Sequence, residues 1–224
     1  MTAEEVLAEL RSHANPKNVA GMARFGIAST NTLGISIPTL RGIAKRAGRD
    51  HVFAEQLWQS GIHEARILAG MVDDPAKVTK RQMDRWAKDF DSWDVVDGVC
   101  SLFVVTPYAY EKAHAWSSHK HEYLKRAAFT MIAYLTYRDK TTTDAEVLQF
   151  LPMICREAGD DRNFVKKAVN LALRNIGKRS RRCNAAAIKC AEQIRADGTR
   201  SGRWIAADAL RELRSDAVQA RLKS

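Results

Sequence analysis

Helix breakers are scarce in this sequence. Only 5 Pro and 12 Gly occur in 224 residues, and the run at 111–135, "EKAHAWSSHKHEYLKRAAFTMIAYL", contains neither, so helix is favoured over strand. Cysteine is sparse too. Cys100, Cys155, Cys183 and Cys190 show no CxxC spacing and no adjoining His cluster, which argues against a disulfide framework or a metal site and for reduced, packed thiols. The histidines at 13, 51, 63, 114, 119 and 121 are scattered without triad or metal spacing; solvated or core roles are expected. No run approaches the roughly 20 apolar residues that span a bilayer. The polar, acidic start "MTAEEVLAELRSH" lacks the basic-then-apolar order of a signal peptide. A soluble, intracellular, cytoplasmic protein is expected, with "PTLRGIAKRAG" read as a repeat helix rather than a membrane-surface one.

What is present is enough apolar material for a substantial core: 46% hydrophobic residues against 28% charged. Apolar residues recur at three- and four-residue spacing, as in Val6, Leu7, Leu10 and Ala14, or Leu124, Ala128, Met131, Ile132 and Leu135, the mark of amphipathic helices. Breaks fall at Asn15-Pro16, residues 29–38, Gly48, Ser60-Gly61, Asp73-Asp74-Pro75, Thr106-Pro107, residues 141–144, Gly159-Asp160 and Asp197-Gly198. Such short loops suit antiparallel helix pairs.

The most apolar segments start at Ile62, Ser92, Glu122, Asn163 and Arg203, at intervals of 30, 30, 41 and 40 residues. That spacing fits two-helix repeats of the HEAT class, in which no unit buries its apolar face alone and each stacks on its neighbours. The fold class expected is all-α, a right-handed α-α superhelix of HEAT-like repeats with about six helix pairs, forming a single domain over residues 1–224. The second helix of each pair would line a concave side. An irregular helical bundle is the competing architecture.

Charge is uneven. The formal net charge is +10, and from Lys178 onward twelve basic residues face five acidic ones. A polyanion partner follows from this, with an ordinary solvated helix face as the plainer alternative.

Against that background "SWDVVDGVC", residues 92–100, keeps two carboxylates in an otherwise buried-looking helix. Trp93 and Asp97, at i and i+4, share a face, while Val95, Val96, Val99 and Leu102 can face the core. Asp94 reads as a first-turn acid or as the partner of an Arg on an adjacent helix. Asp97 paired with an Arg and Trp93 as plain packing are the structural alternatives. Arg126 in "LKRAA" and Lys166 and Lys167 in "FVKKAVN" occupy comparable positions of the next lining helices, so a basic surface interrupted by one indole and one carboxylate is expected. Phosphate binding alone does not call for an acid. An acid helps where positive charge develops, as when an N-glycosidic bond breaks and the sugar becomes oxocarbenium-like, and it can activate the attacking water. An indole beside it attracts a cationic base through its π face.

The segments "MARF", "LGISIPTLR", "SWDVVD", "LKRAA" and "FVKKAVNLALRNIGKRS", in that order over residues 22–182, resemble the AlkD-type DNA alkylation repair proteins, a family of HEAT-like-repeat DNA glycosylases. The resemblance implies a DNA glycosylase that removes positively charged N3- or N7-alkylated purines from double-stranded DNA, with no metal or other cofactor and without flipping the base into a pocket. It implies Asp97 as the catalytic aspartate, Trp93 as the indole one turn before it, and Arg126 as a DNA contact near the lesion. Lys166, Lys167, Arg179, Arg181 and Arg182 join Arg126 as expected DNA contacts. Two positions depart from the family pattern: Leu171 stands where the best-studied branch has a second active-site Trp, and Phe25 where it has a Tyr. Both stay on the expected DNA-facing wall, short of one indole and one hydroxyl. A noncatalytic binder of bent or branched DNA, or a protein-interaction scaffold, are the alternative functions. A monomer and no membrane partner are expected.

Overall fold

In the computed structural model of the chain, residues 1–27, 30–138 and 141–222 are described. Ser29, at the head of the expected 29–38 loop, and Lys223, in the basic C-terminal stretch, lie outside them. Every regular element among the described residues is helical. The chain divides into two compact units, Met1–Tyr108 and Ala109–Ser224.

The first unit comprises α1 (Ala3–Ser12), α2 (Pro16–Ala23), α3 (Ile37–Ala47), α4 (His51–Gln59), α5 (His63–Val72), α6 (Lys80–Lys88) and α7 (Trp93–Phe103). Their starts are written in local chemistry. Thr2 and Glu5 form a capping box on α1, Asn15 caps α2 ahead of Pro16, and Ser36, Asp50 and Thr79 cap α3, α4 and α6, each satisfying backbone N–H groups that a helix start leaves without partners. Helix α5 packs on α3 and α4 and on α7. Its buried Ile67, Leu68, Ala69 and Val72 meet a stripe on α7 that buries Val95, Val96, Val99 and Leu102, the four residues assigned to the core from spacing. Each large aliphatic side chain buried in full contributes about 1.5–3 kcal/mol. Between α4 and α6, Trp58 stacks on Trp86 with ring centroids 4.2 Å apart.

The irregular loop before α3 is held by one buried side chain. Glu64, 1% exposed, accepts the backbone N–H of Leu33 (2.8 Å), Gly34 (2.6 Å) and Ile35 (3.2 Å). Gly34 has φ +79°, and a Cβ there would stand 2.4 Å from the Asn15 carbonyl oxygen, so only glycine fits this turn.

The second unit comprises α8 (Ala109–Trp116), α9 (Glu122–Arg138), α10 (Asp144–Leu148), α11 (Leu151–Glu157), α12 (Asn163–Gly177), α13 (Arg181–Ala196), α14 (Arg200–Leu213) and α15 (Asp216–Gln219). Helix α9 packs on α8 and α12, and α12 on α13 and α14. The five segments singled out by their apolar repeat are therefore α5, α7, α9, α12 and α14. Two boundaries differ from expectation. The breaker-free run 111–135 is interrupted at residues 117–121, where Ser117 Oγ donates to the His114 carbonyl and His119 Nδ1 accepts from the His121 backbone N–H. Helix α14 starts at Arg200 rather than Arg203, because Thr199 Oγ1 accepts from Gly202 N at 3.0 Å; Gly202 lies inside the first turn and does not break it. No helix among the described residues is long and apolar enough to cross a membrane.

Candidate nucleic-acid interface

The two carboxylates of α7 have different surroundings. Asp94 faces α5: it accepts from Ser92 Oγ and pairs with His63 Nε2 at 2.8 Å, and His63 has a fully buried side chain. The partner is thus a histidine rather than an Arg, a pairing made possible because position 1 of α5 lies beside position 2 of α7. Desolvation by burial is the largest influence on each group and opposes its charged form. The hydrogen bond and the mutual charge outweigh it, so His63 titrates above its usual 6.5 and Asp94 below its usual 3.8.

Trp93 and Asp97, one turn apart, are both half-buried. The Trp93 indole Nε1–H donates to the Phe25 carbonyl at 3.0 Å, which ties the turn after α2 to the start of α7, and the ring of Phe25 is 71% exposed. Within the first unit, then, Phe25 is tied to Trp93 by this bond, and Trp93 shares a face of α7 with Asp97. Such a place offers an apolar and aromatic surface with one carboxylate at its edge, suited to a cationic group.

The expected basic residues lie in the second unit and fall into two groups. Arg126 is 6% exposed, and its Nη1 donates to the Phe164 carbonyl at 3.0 Å. Glu122 accepts from Phe164 N at 3.2 Å and Tyr123 stacks on the Phe164 ring at 5.8 Å, so α9 clasps the first turn of α12 through three side chains. Arg179 is likewise a strut. Its guanidinium donates to Asp144 Oδ1 (2.9 Å), to the Thr136 carbonyl (2.6 Å) and to the Thr142 carbonyl, joining the ends of α9, α10 and α12. Lys167, Arg181 and Arg182 are exposed, while Lys166 and Leu171 are half-buried. Arg181 and Arg182 occupy the first turn of α13, where the helix dipole disfavours cations, a cost that a bound anion would relieve.

Sequence reasoning missed Trp204. This α14 residue is 42% exposed, with Lys166 Nζ over its ring, 5.0 Å from the centroid. It heads a ladder between α12 and α14: Asn170 Nδ2 donates to Asp208 at 2.7 Å, Arg174 pairs with Asp208 at 3.2 Å and Glu212 at 3.0 Å, and Lys178 pairs with Glu212 at 2.9 Å. The signal was present as a four-residue period, 166, 170, 174 and 178 facing 204, 208 and 212, but it becomes legible only once α12 and α14 are known to be neighbours. Among the described residues no group of three or more His, Cys, Asp or Glu could hold a metal ion.

The fold is shared with a solved structure from a new family of proteins related to the HEAT-like repeat DNA glycosylases, with affinity for branched DNA structures. The TM-score is 0.79 at 18% identity, over 94% of this chain and 95% of that one. At that identity the likeness shows a HEAT-like repeat fold. No curated protein matches the chain significantly. Residues 6–217 match the family described as DNA alkylation repair enzyme. With nearly its whole length matched and its helices in a HEAT-like fold, the chain belongs to the DNA alkylation repair enzyme family.

Proposed function

We propose that the protein is a DNA glycosylase that hydrolyses the N-glycosidic bond of positively charged N3- or N7-alkylated purines in duplex DNA, without a metal and without drawing the base into a pocket. The observation that carries this reading is the placement of Trp93 and Asp97, both half-buried and one turn apart on one face of α7, with the Trp93 indole held by the Phe25 carbonyl. Asp94 lies apart from them, on the α5 side, where it pairs with His63.

The chemistry suits a substrate that already bears its charge. As the C1′–N bond breaks, its electron pair goes to the alkylated base, which leaves neutral and needs no proton. The deoxyribose becomes oxocarbenium-like, and a carboxylate beside it stabilises that charge. Water then adds at C1′ and passes a proton to Asp97. The π face of Trp93 attracts the cationic base before cleavage. A monomer working on DNA in the cytoplasm goes with this reading.

The test is release of free base from duplex DNA carrying 7-methylguanine or 3-methyladenine under single-turnover conditions. Asp97→Asn is expected to slow release about 10²- to 10³-fold while duplex affinity stays level or rises slightly, since a negative charge is lost and the shape kept. A second reading, a noncatalytic binder of branched DNA, is favoured by Leu171 in place of an indole and Phe25 in place of a phenol, and by the affinity named for the structural relative. Tight duplex binding with no base released by the wild type or by Leu171→Trp decides for that second reading.

A further inference from the structure

The exposed Trp204 has no part in the reaction described above, and burial does not account for it. Trp58, Trp86 and Trp116 are at most 4% exposed, against 42% for Trp204. The open part of so large a ring is available to a flat partner. Its setting is cationic. Lys166 lies over the ring, Lys167 is exposed one residue on along α12, and Arg200 and Arg203 are exposed in the first turn of α14. The nearby acids are engaged: Asp208 by Asn170, Arg174 and Arg211, and Asp161 by Ser201 Oγ–H.

We propose that Trp204 and Lys166 form a second nucleic-acid site, at which an unpaired base of DNA stacks on the indole while its flanking phosphates pair with Lys166, Lys167 and Arg203. It rests on the DNA-binding part of the proposed function and not on base excision. An indole beside ammonium groups suits this ligand for two reasons. Any base offers a π face, so stacking on a solvent-open ring is tolerant of sequence, and lysine neutralises the backbone that comes with it. A fully paired duplex keeps its bases stacked on one another and presents phosphates alone, so it uses the cations without the ring. An acidic protein segment would also meet the cations, but it brings no flat aromatic face by necessity; a base-bearing strand meets both features at once.

The experiment compares the wild type with Trp204→Ala and Trp204→Phe on two probes, a fully paired duplex and the same duplex with a short single-stranded gap carrying 2-aminopurine. Wild-type protein is expected to prefer the gapped probe and to quench the 2-aminopurine emission on binding. Trp204→Ala should lower the preference for the gapped probe by about 5- to 150-fold, the range that base–aromatic stacking supports, and remove the quenching. Trp204→Phe should keep part of both, and thermal melting of the variants excludes unfolding as the cause. Unchanged preference and quenching in Trp204→Ala overturn this inference alone and assign the indole to a protein contact or to none. Wild-type protein that binds neither probe overturns the DNA reading and this site with it.

Discussion

Asp94, the first-turn acid of α7, has its setting fixed by one residue on α5. His63, with its side chain fully buried, holds Asp94 in a charged pair whose strength depends on pH. The raised His63 pKa means that its contribution to stability is complete below about 6.5 and fades as pH rises through the higher folded value. The lowered Asp94 pKa means that its contribution is complete above about 3.8 and fades as pH falls through the lower folded value. The unfolding free energy of the wild type is therefore expected to decline as pH is raised from 6.5, and His63→Gln should lose that part of the decline. At pH 6 the variant should be less stable by about 3 kcal/mol, as when one member of a buried pair is removed. Chemical denaturation across pH 5 to 9 (about the range where histidine titrates) measures both; parallel curves for the two proteins would show that the pair does not set the dependence.

At the scale of elements, the placement of Trp93 and Asp97 depends on how closely α7 approaches α5. Gly70 on α5 makes the approach possible, since a Cβ there would lie 3.2 Å from the Cα of Val99, and Gly98 on α7 would place a Cβ 3.4 Å from Ile67 in return. The missing side chain at position 70 lets the α5 backbone come close to the α7 backbone at Val99. Gly70→Val is expected to cost about 1–3 kcal/mol by overpacking. The urea midpoint should fall with little change in m, and base release should fall with it as α7 is displaced. Full stability in Gly70→Val would mean that the two helices can separate freely. The α12–α14 ladder is the counterpart in the second unit, with its charges neutralised rung by rung and Trp204 at its open end.

For the whole molecule the governing quantity is charge. A net charge of +10 and a pI near 9.6 favour association with a polyanion, and each phosphate neutralised adds about −0.9 to the slope of log affinity against log salt. Duplex binding should weaken steeply as salt is raised. Arg182→Glu should shallow the slope by about 1 for damaged and undamaged duplex alike. Arg179→Glu should behave differently, lowering the melting temperature, because its guanidinium is consumed by Asp144, Thr136 and Thr142. Affinity independent of salt would remove the polyanion argument.

The all-α class, the recurring apolar helices and the shared face of Trp93 and Asp97 were legible in the sequence because helical periodicity is local: positions three and four apart fall together whatever the tertiary context. Most loop positions were legible for the same reason, through caps such as Asn15 before Pro16 and Thr143 before Glu146. The partners across helices were not. That Asp94 meets His63 rather than an Arg, that Arg126 and Arg179 bond across to neighbouring helices, and that Lys166 lies over Trp204 all depend on which helix faces which and at what stagger. Residues 30 to 40 positions apart are matched by packing, and a shift of one residue along a helix turns a side chain by about 100°, so only the tertiary structure decided which of the chain's many charges remain available to DNA.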